Sequence, residues 1–167
     1  MLRQYGAEKL AQDPADEADL RDEHSRYYCR WLQEQEASLR SSKQQAVLQE
    51  IEAELENVLA ACQWAASQGR VNRLSEAIGA LARFYHWRRS YQAGEIVLGN
   101  LAERLSEAHE SNSPVIDIVQ RTMARILVWQ SRFSRLLGYA ERSRRLARES
   151  LELLDSPILA GQDTRLE

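Results

Sequence analysis

The sequence predicts an all-α protein assembled from antiparallel helical hairpins. Three observations lead there. Only three prolines and seven glycines interrupt the 167 residues, and strong helix formers, Ala, Leu, Glu, Gln and Arg, dominate the stretches between them. Apolar residues recur at steps of three and four, the period of one face of a helix. The breaks between these runs are short, which makes consecutive helices antiparallel neighbours.

Asp13-Pro14 precedes a first long helix marked by Leu20, His24, Tyr27, Tyr28, Trp31 and Leu32. Leu48, Ile51, Leu55, Leu59 and Cys62 then advance by 3, 4, 4 and 3. That spacing predicts one unbroken stripe down a second helix ending near Gly69. Leu74, Ile78, Leu81 and Tyr85 define a third helix, and a fourth follows Tyr91 through Leu98, Leu101 and Leu105. Ser113-Pro114 joins an N-cap residue to a proline at the first helical position, a start signal for a fifth. Its expected buried stripe is Ile116, Val119, Met123, Ile126/Leu127 and Gln130/Phe133. After the Gly138 turn a sixth helix is predicted to about Leu154, and Ser156-Pro157 repeats the start signal for a frayed last element.

Two of these hairpins are alike. In the first, small Ala82 is followed by Tyr85, Tyr91 falls at the turn, and small Gly94 precedes Leu98 and Leu101. In the second, Ser131 takes the place of Ala82, Gly138 marks the turn, and Ser143, Ala147 and Ser150 are the small residues. Small side chains are what two closely crossing helices require. The offset from position 82 to 131 is 49 residues, longer than the common period of about 34. The pattern resembles the long-helix variety of tetratricopeptide repeats. It implies hairpins stacked as a short tetratricopeptide-like α-solenoid.

The net charge of −3 is unevenly spread: residues 1–60 hold 13 acids against 7 bases, and residues 61–167 hold 12 against 15. The two halves are expected to face different neighbours. Neither Lys9 nor Lys43, the two lysines, follows a phosphate-binding loop pattern, and no GxGxxG occurs. His24, His86 and His109 fall on three different predicted helices with no spacing that would put two ligands on one face. Alternate acids such as Glu50, Glu52, Glu54 and Glu56 point apart on a helix and read as a solvated face. No catalytic residue, metal ligand or cofactor is therefore expected. Cys29 and Cys62 lie in apolar helical stretches and read as buried free thiols of a reducing compartment. Without a secretory apolar region near Met1–Ala11 or a run of the ~20 apolar residues needed to span a membrane, a cytoplasmic location is expected.

Four segments lie in a telling order. "MLRQYGAEKLAQ" opens the chain, "RDEHSRYYCRWLQEQE" covers 21–36 and "EIEAELENVLAACQWAASQG" covers 50–69; "ARFYHWRRSYQAGEIVLGNL" follows at 82–101. Together they resemble the signal-transduction ATPases with numerous domains, the group of LuxR-type and maltose-regulator-like bacterial transcriptional regulators. Ser25 and Ser90 depart from the usual Ala and Gly of that pattern. The resemblance implies that residues 1–12 end an upstream winged-helix module, 13–70 form a linking helical hairpin, 71–155 carry tetratricopeptide-like repeats and 156–167 a frayed terminal segment. It also implies an ATPase core before residue 1.

With the core stripes fixed, helical geometry turns Gly79, Arg83, His86 and Trp87 to an exposed face of the third helix. Arg121, Arg125, Val128, Arg132 and Arg135 turn outward together on the fifth. Stacked, these faces predict a basic, aromatic-edged concave groove suited to a protein or peptide with acidic or anionic groups, or to an effector carrying them. Trp87 and Trp129 flank the stripes and are placed to reach it, whereas Trp31 and Trp64 are expected in the core. The expected role is a non-catalytic interaction and sensing module of signal transduction, whose other partners are the upstream ATPase and winged-helix domains. A structural spacer is the alternative. Nucleic-acid contact through Arg142, Arg144, Arg145 and Arg148 is disfavoured by Glu141 and Glu149 and by a sequence pI of about 5.7.

Overall fold

The computed structural model describes residues 14–109 and 115–159. Seven α-helices and two 3-10 turns make up this part: α1 (Pro14–Gln35), a turn at Ser38–Arg40, α2 (Gln44–Ala53), α3 (Leu55–Ser67), α4 (Val71–Trp87), α5 (Tyr91–Glu107), α6 (Ile116–Leu136), α7 (Ala140–Leu154) and a turn at Pro157–Leu159. No strand occurs among the described residues. The predicted winged-helix end at 1–12 and the Ser113-Pro114 start signal lie outside them.

Helices α1, α4 and α6 pack side by side, α3 and α5 lie behind them, and α7 folds back along α6. The hairpins are α1/α3, α4/α5 and α6/α7. One apolar core runs through every helix but α7, from Cys29 and Leu32 on α1 through Ile78 and Leu81 on α4 to Ile126 and Phe133 on α6. Leu159 is buried and anchors the start of the segment expected to fray.

The expected second helix is two. It breaks at Glu54, whose φ of −101° and ψ of 8° leave the helical region. The Glu54 carboxylate accepts the Tyr28 hydroxyl at 2.8 Å and the Asn57 amide at 2.7 Å, so α1 fixes the break. Its effect is to shift the apolar phase. Val58, Ala61, Cys62, Ala65 and Ala66 are the buried positions of α3, while Leu55 and Leu59 of the predicted stripe are only half-buried. Helix α2 buries Val47, Leu48 and Ile51 against the Ser38–Arg40 turn and α4 instead. One straight helix cannot face both neighbours.

Three of the connections use the same cap. At Gly69, Arg89 and Gly138 the backbone turns left-handed, with φ of 62°, 56° and 87°. The next amide in each case reaches back five residues: Arg70 to the Ala65 carbonyl at 2.8 Å, Ser90 to Tyr85 at 3.0 Å, Tyr139 to Ser134 at 2.8 Å. Together with the amides of Gly69, Arg89 and Gly138, which bond Ala66, His86 and Arg135 at 3.2, 3.1 and 3.1 Å, these bonds satisfy carbonyls that a helix end leaves without partners. They also bring the chain into the next helix within three residues.

The small residues sit where the hairpin comparison expects them. A Cβ on Gly94 would lie 2.7 Å from Phe133 Cε2 and 2.8 Å from Tyr85 Cβ, so α5 crosses α4 and α6 at bare backbone. Between α6 and α7, Ser131 donates to the Ser143 carbonyl at 2.9 Å and Ser150 to that of Ala124 at 3.0 Å. Serine serves here because its hydroxyl finds a carbonyl on the facing helix.

Candidate functional site

The side-by-side packing of α1, α4 and α6 leaves a groove along their shared face. Part of it closes into a cavity of about 250 Å³ bordered by Glu36, Glu76, Gly79, Arg83, Arg125 and Trp129. Two of the predicted arginines, Arg83 and Arg125, are therefore brought together. Neither is as exposed as expected.

Arg83 keeps only 17% of its side chain in solvent and pairs with Glu36 through Nε at 3.2 Å. Glu36 also receives Arg40 at 3.1 Å. Its carboxylate rests on Gly79, where an added Cβ would stand 2.9 Å from both oxygens. Gly79 is itself buried, contrary to the expectation of an exposed face. The reason is tertiary: the end of α1 covers the middle of α4. Arg125 donates to the Ser75 carbonyl at 3.1 Å, and Glu76 adds a second acid. At this end the groove is of mixed charge, where a uniformly basic one was predicted.

Toward the far end the groove becomes aromatic and cationic. Two guanidinium groups lie over the Trp129 ring, with Arg83 Cζ at 5.5 Å and Arg132 Cζ at 5.3 Å from its centroid. Such contacts favour the weakly hydrated, planar Arg head. Trp129 is only 6% exposed, whereas Trp87 is 48% exposed. His86 stands among Trp87, Tyr91 and Trp129, with ring centroids 5.2, 6.0 and 6.1 Å away. Since Arg132 has only donors, His86 Nε2 accepts from it at 3.3 Å. The proton of the neutral ring then sits on Nδ1, which is buried without a partner. Burial, Arg132 and Arg83 hold the His86 pKa below its usual value.

No family model, curated protein or solved structure matches this chain. The likeness to signal-transduction ATPases rests on the residue patterns given above.

Arg121 and Arg135 stay on the Arg125–Arg132 side of α6 but do not border the cavity; Arg121 is half-buried and Arg135 exposed. Of the residues that do border it, Glu36 went unread in the sequence because its partner Arg83 lies 47 positions away. Only its local pairing with Arg40, at helical spacing, was there to be seen. Elsewhere, Cys29 and Cys62 are free and buried, with the Cys62 thiol pushed well up by Cys29 and by burial. No cluster of potential metal ligands and no helix long and apolar enough to cross a membrane occurs among the described residues. On α7, Arg142 pairs with Glu95 at 3.3 Å, Arg144 with Glu141, and Arg145 with Glu149 at 3.5 Å. Those pairings dilute the charge that a nucleic-acid surface would need.

Proposed function

We propose that this chain is a non-catalytic interaction and effector-sensing module of a larger cytoplasmic regulatory ATPase, and that its α1–α4–α6 groove receives an acidic segment of a protein or peptide. One observation carries the reading. Glu36 already lies in the groove, its carboxylate seated on Gly79 and bonded to Arg83, in the manner an incoming acidic side chain would adopt. Arg83 and Arg132, both against Trp129, put cationic groups beside that seat, and Arg135 is exposed on the same helix. Guanidinium groups recognise carboxylates with two parallel donors, which gives direction as well as affinity. An acidic surface of the parent protein's ATPase or winged-helix domain fits the same chemistry.

A spacer role is the competing reading, favoured by the internal partners of Arg83 and Arg125. Fluorescence anisotropy with a fluorescein-labelled acidic decapeptide, and a basic one as control, separates the two. Binding of the acidic peptide alone is expected, tighter in Glu36→Gln and roughly tenfold weaker in an Arg132→Glu, Arg135→Glu chain. Equal, weak binding of both peptides that neither change alters would leave the spacer.

A further inference from the structure

On the other side of α1, a second concavity of about 610 Å³ opens between α1, α3 and α5. Leu20, Ala60 and the Trp64 ring give it an apolar surface, and Arg21 and Arg104 stand at it with no carboxylate among the lining residues. Leu20 is 49% exposed. Trp64, expected in the core, is only half-buried. Its Nε1 donor is turned away from solvent, so the indole offers the cavity carbon surface. The Arg21 guanidinium lies 5.5 Å above the Trp64 ring, and its partner Glu17, at 2.5 Å, lies outside the lining. Arg104, in the last turn of α5, is exposed.

The volume lies in the range of about 300–1,000 Å³ that holds small organic ligands. Apolar walls with a few placed polar groups are the usual make-up of such sites. Beside His24, Gln63 and Ser67 the lining carries two cations, Arg21 and Arg104, and no carboxylate, so a negatively charged ligand is favoured.

We propose that the α1–α3–α5 cavity binds a small organic carboxylate with an apolar body, the body against Leu20, Ala60 and the Trp64 ring and the carboxylate paired with Arg21 and Arg104. This site shares none of its lining with the groove of the α1–α4–α6 face.

The test is calorimetric titration of the full chain with 3-phenylpropionate, indole-3-acetate and octanoate, with 3-phenylpropan-1-ol as the uncharged control, alongside tryptophan fluorescence. At least one carboxylate should bind in the sub-millimolar range and change the fluorescence, with the alcohol about tenfold weaker or worse. An Arg21→Gln, Arg104→Gln chain should lose about tenfold in carboxylate affinity and no longer prefer the acid to the alcohol. Both arginines are exposed, and circular dichroism checks that the variant is folded. Trp64→Phe, which keeps an apolar ring, should retain binding but abolish the fluorescence change. No binding of any of the three carboxylates at millimolar concentration would overturn the proposal. So would equal affinity for the alcohol, or unchanged carboxylate affinity in the folded double variant.

Discussion

Arg73 grips Asp22 with both terminal guanidinium nitrogens, at 2.9 and 2.8 Å, and so ties the first turns of α4 to α1. Arg70 adds a third contact at 3.3 Å. The hydrogen bonds from Arg73 outweigh partial burial and hold the Asp22 carboxyl down to about 2.

Asp22→Asn should therefore lower stability at neutral pH by roughly 1 kcal/mol, the scale of a partly exposed but bidentate pair. A depressed carboxyl pKa stabilises the fold above its unfolded value, and that share is lost as pH falls through the folded one. Urea unfolding should show the deficit of the variant at pH 7 and see it vanish as the pH drops from about 4 toward 2. A pH-independent deficit would assign the cost to something other than the charge.

Arg89 occupies the left-handed position that Gly69 and Gly138 fill in the matching caps. A side chain there crowds its own backbone by about 1 kcal/mol, which glycine avoids. Arg89→Gly is expected to raise the thermal midpoint by about 2–4 °C. A fall would mean that the arginine side chain makes a contact worth more than the strain.

His86 is kept neutral by burial first and then by Arg132 and Arg83. The unfolded chain binds a proton near pH 6.5 that the folded chain resists, so stability falls as pH drops below that value. Replacing His86 with Asn should flatten this part of the stability curve between about pH 7 and 5. Two-dimensional NMR of the imidazole should show it titrating below its usual range. A His86 that titrates at or above that range would remove the basis for the claim.

At Gly94 the two sides of the ledger are comparable and the sign is informative. Alanine gains up to about 1 kcal/mol in helix propensity, but its Cβ meets Tyr85 Cβ, which cannot move without its helix, and the fully buried Phe133. Overpacking of a tight core costs about 1–3 kcal/mol, so Gly94→Ala should destabilise on balance. A stabilised variant in denaturant melts would show that α5 does not cross its neighbours so closely.

The sequence by itself determined the helices and most of their inner faces. Periodicity is written by residues three and four apart, and each helix closes its own hydrogen bonds, so Ile78, Leu81 and Tyr85 or Val119, Ile126 and Phe133 are legible without any partner. Gly69 and Gly138 announce their turns for the same local reason. Small residues at Gly94 and Ser131 even foretold which helices come close. What only the tertiary structure decided depends on groups far apart in the chain. At the break, the Glu54 carboxylate accepts from Tyr28, 26 positions away. Arg89 took the left-handed turn that glycine takes elsewhere because the helix behind it must reverse there, whatever residue is present. The groove that pattern alone made basic is half neutralised, since the end of α1 lays Glu36 across Gly79 onto Arg83. A helical wheel assigns a face to each side chain, but only the packing of one helix on another decides what that face meets.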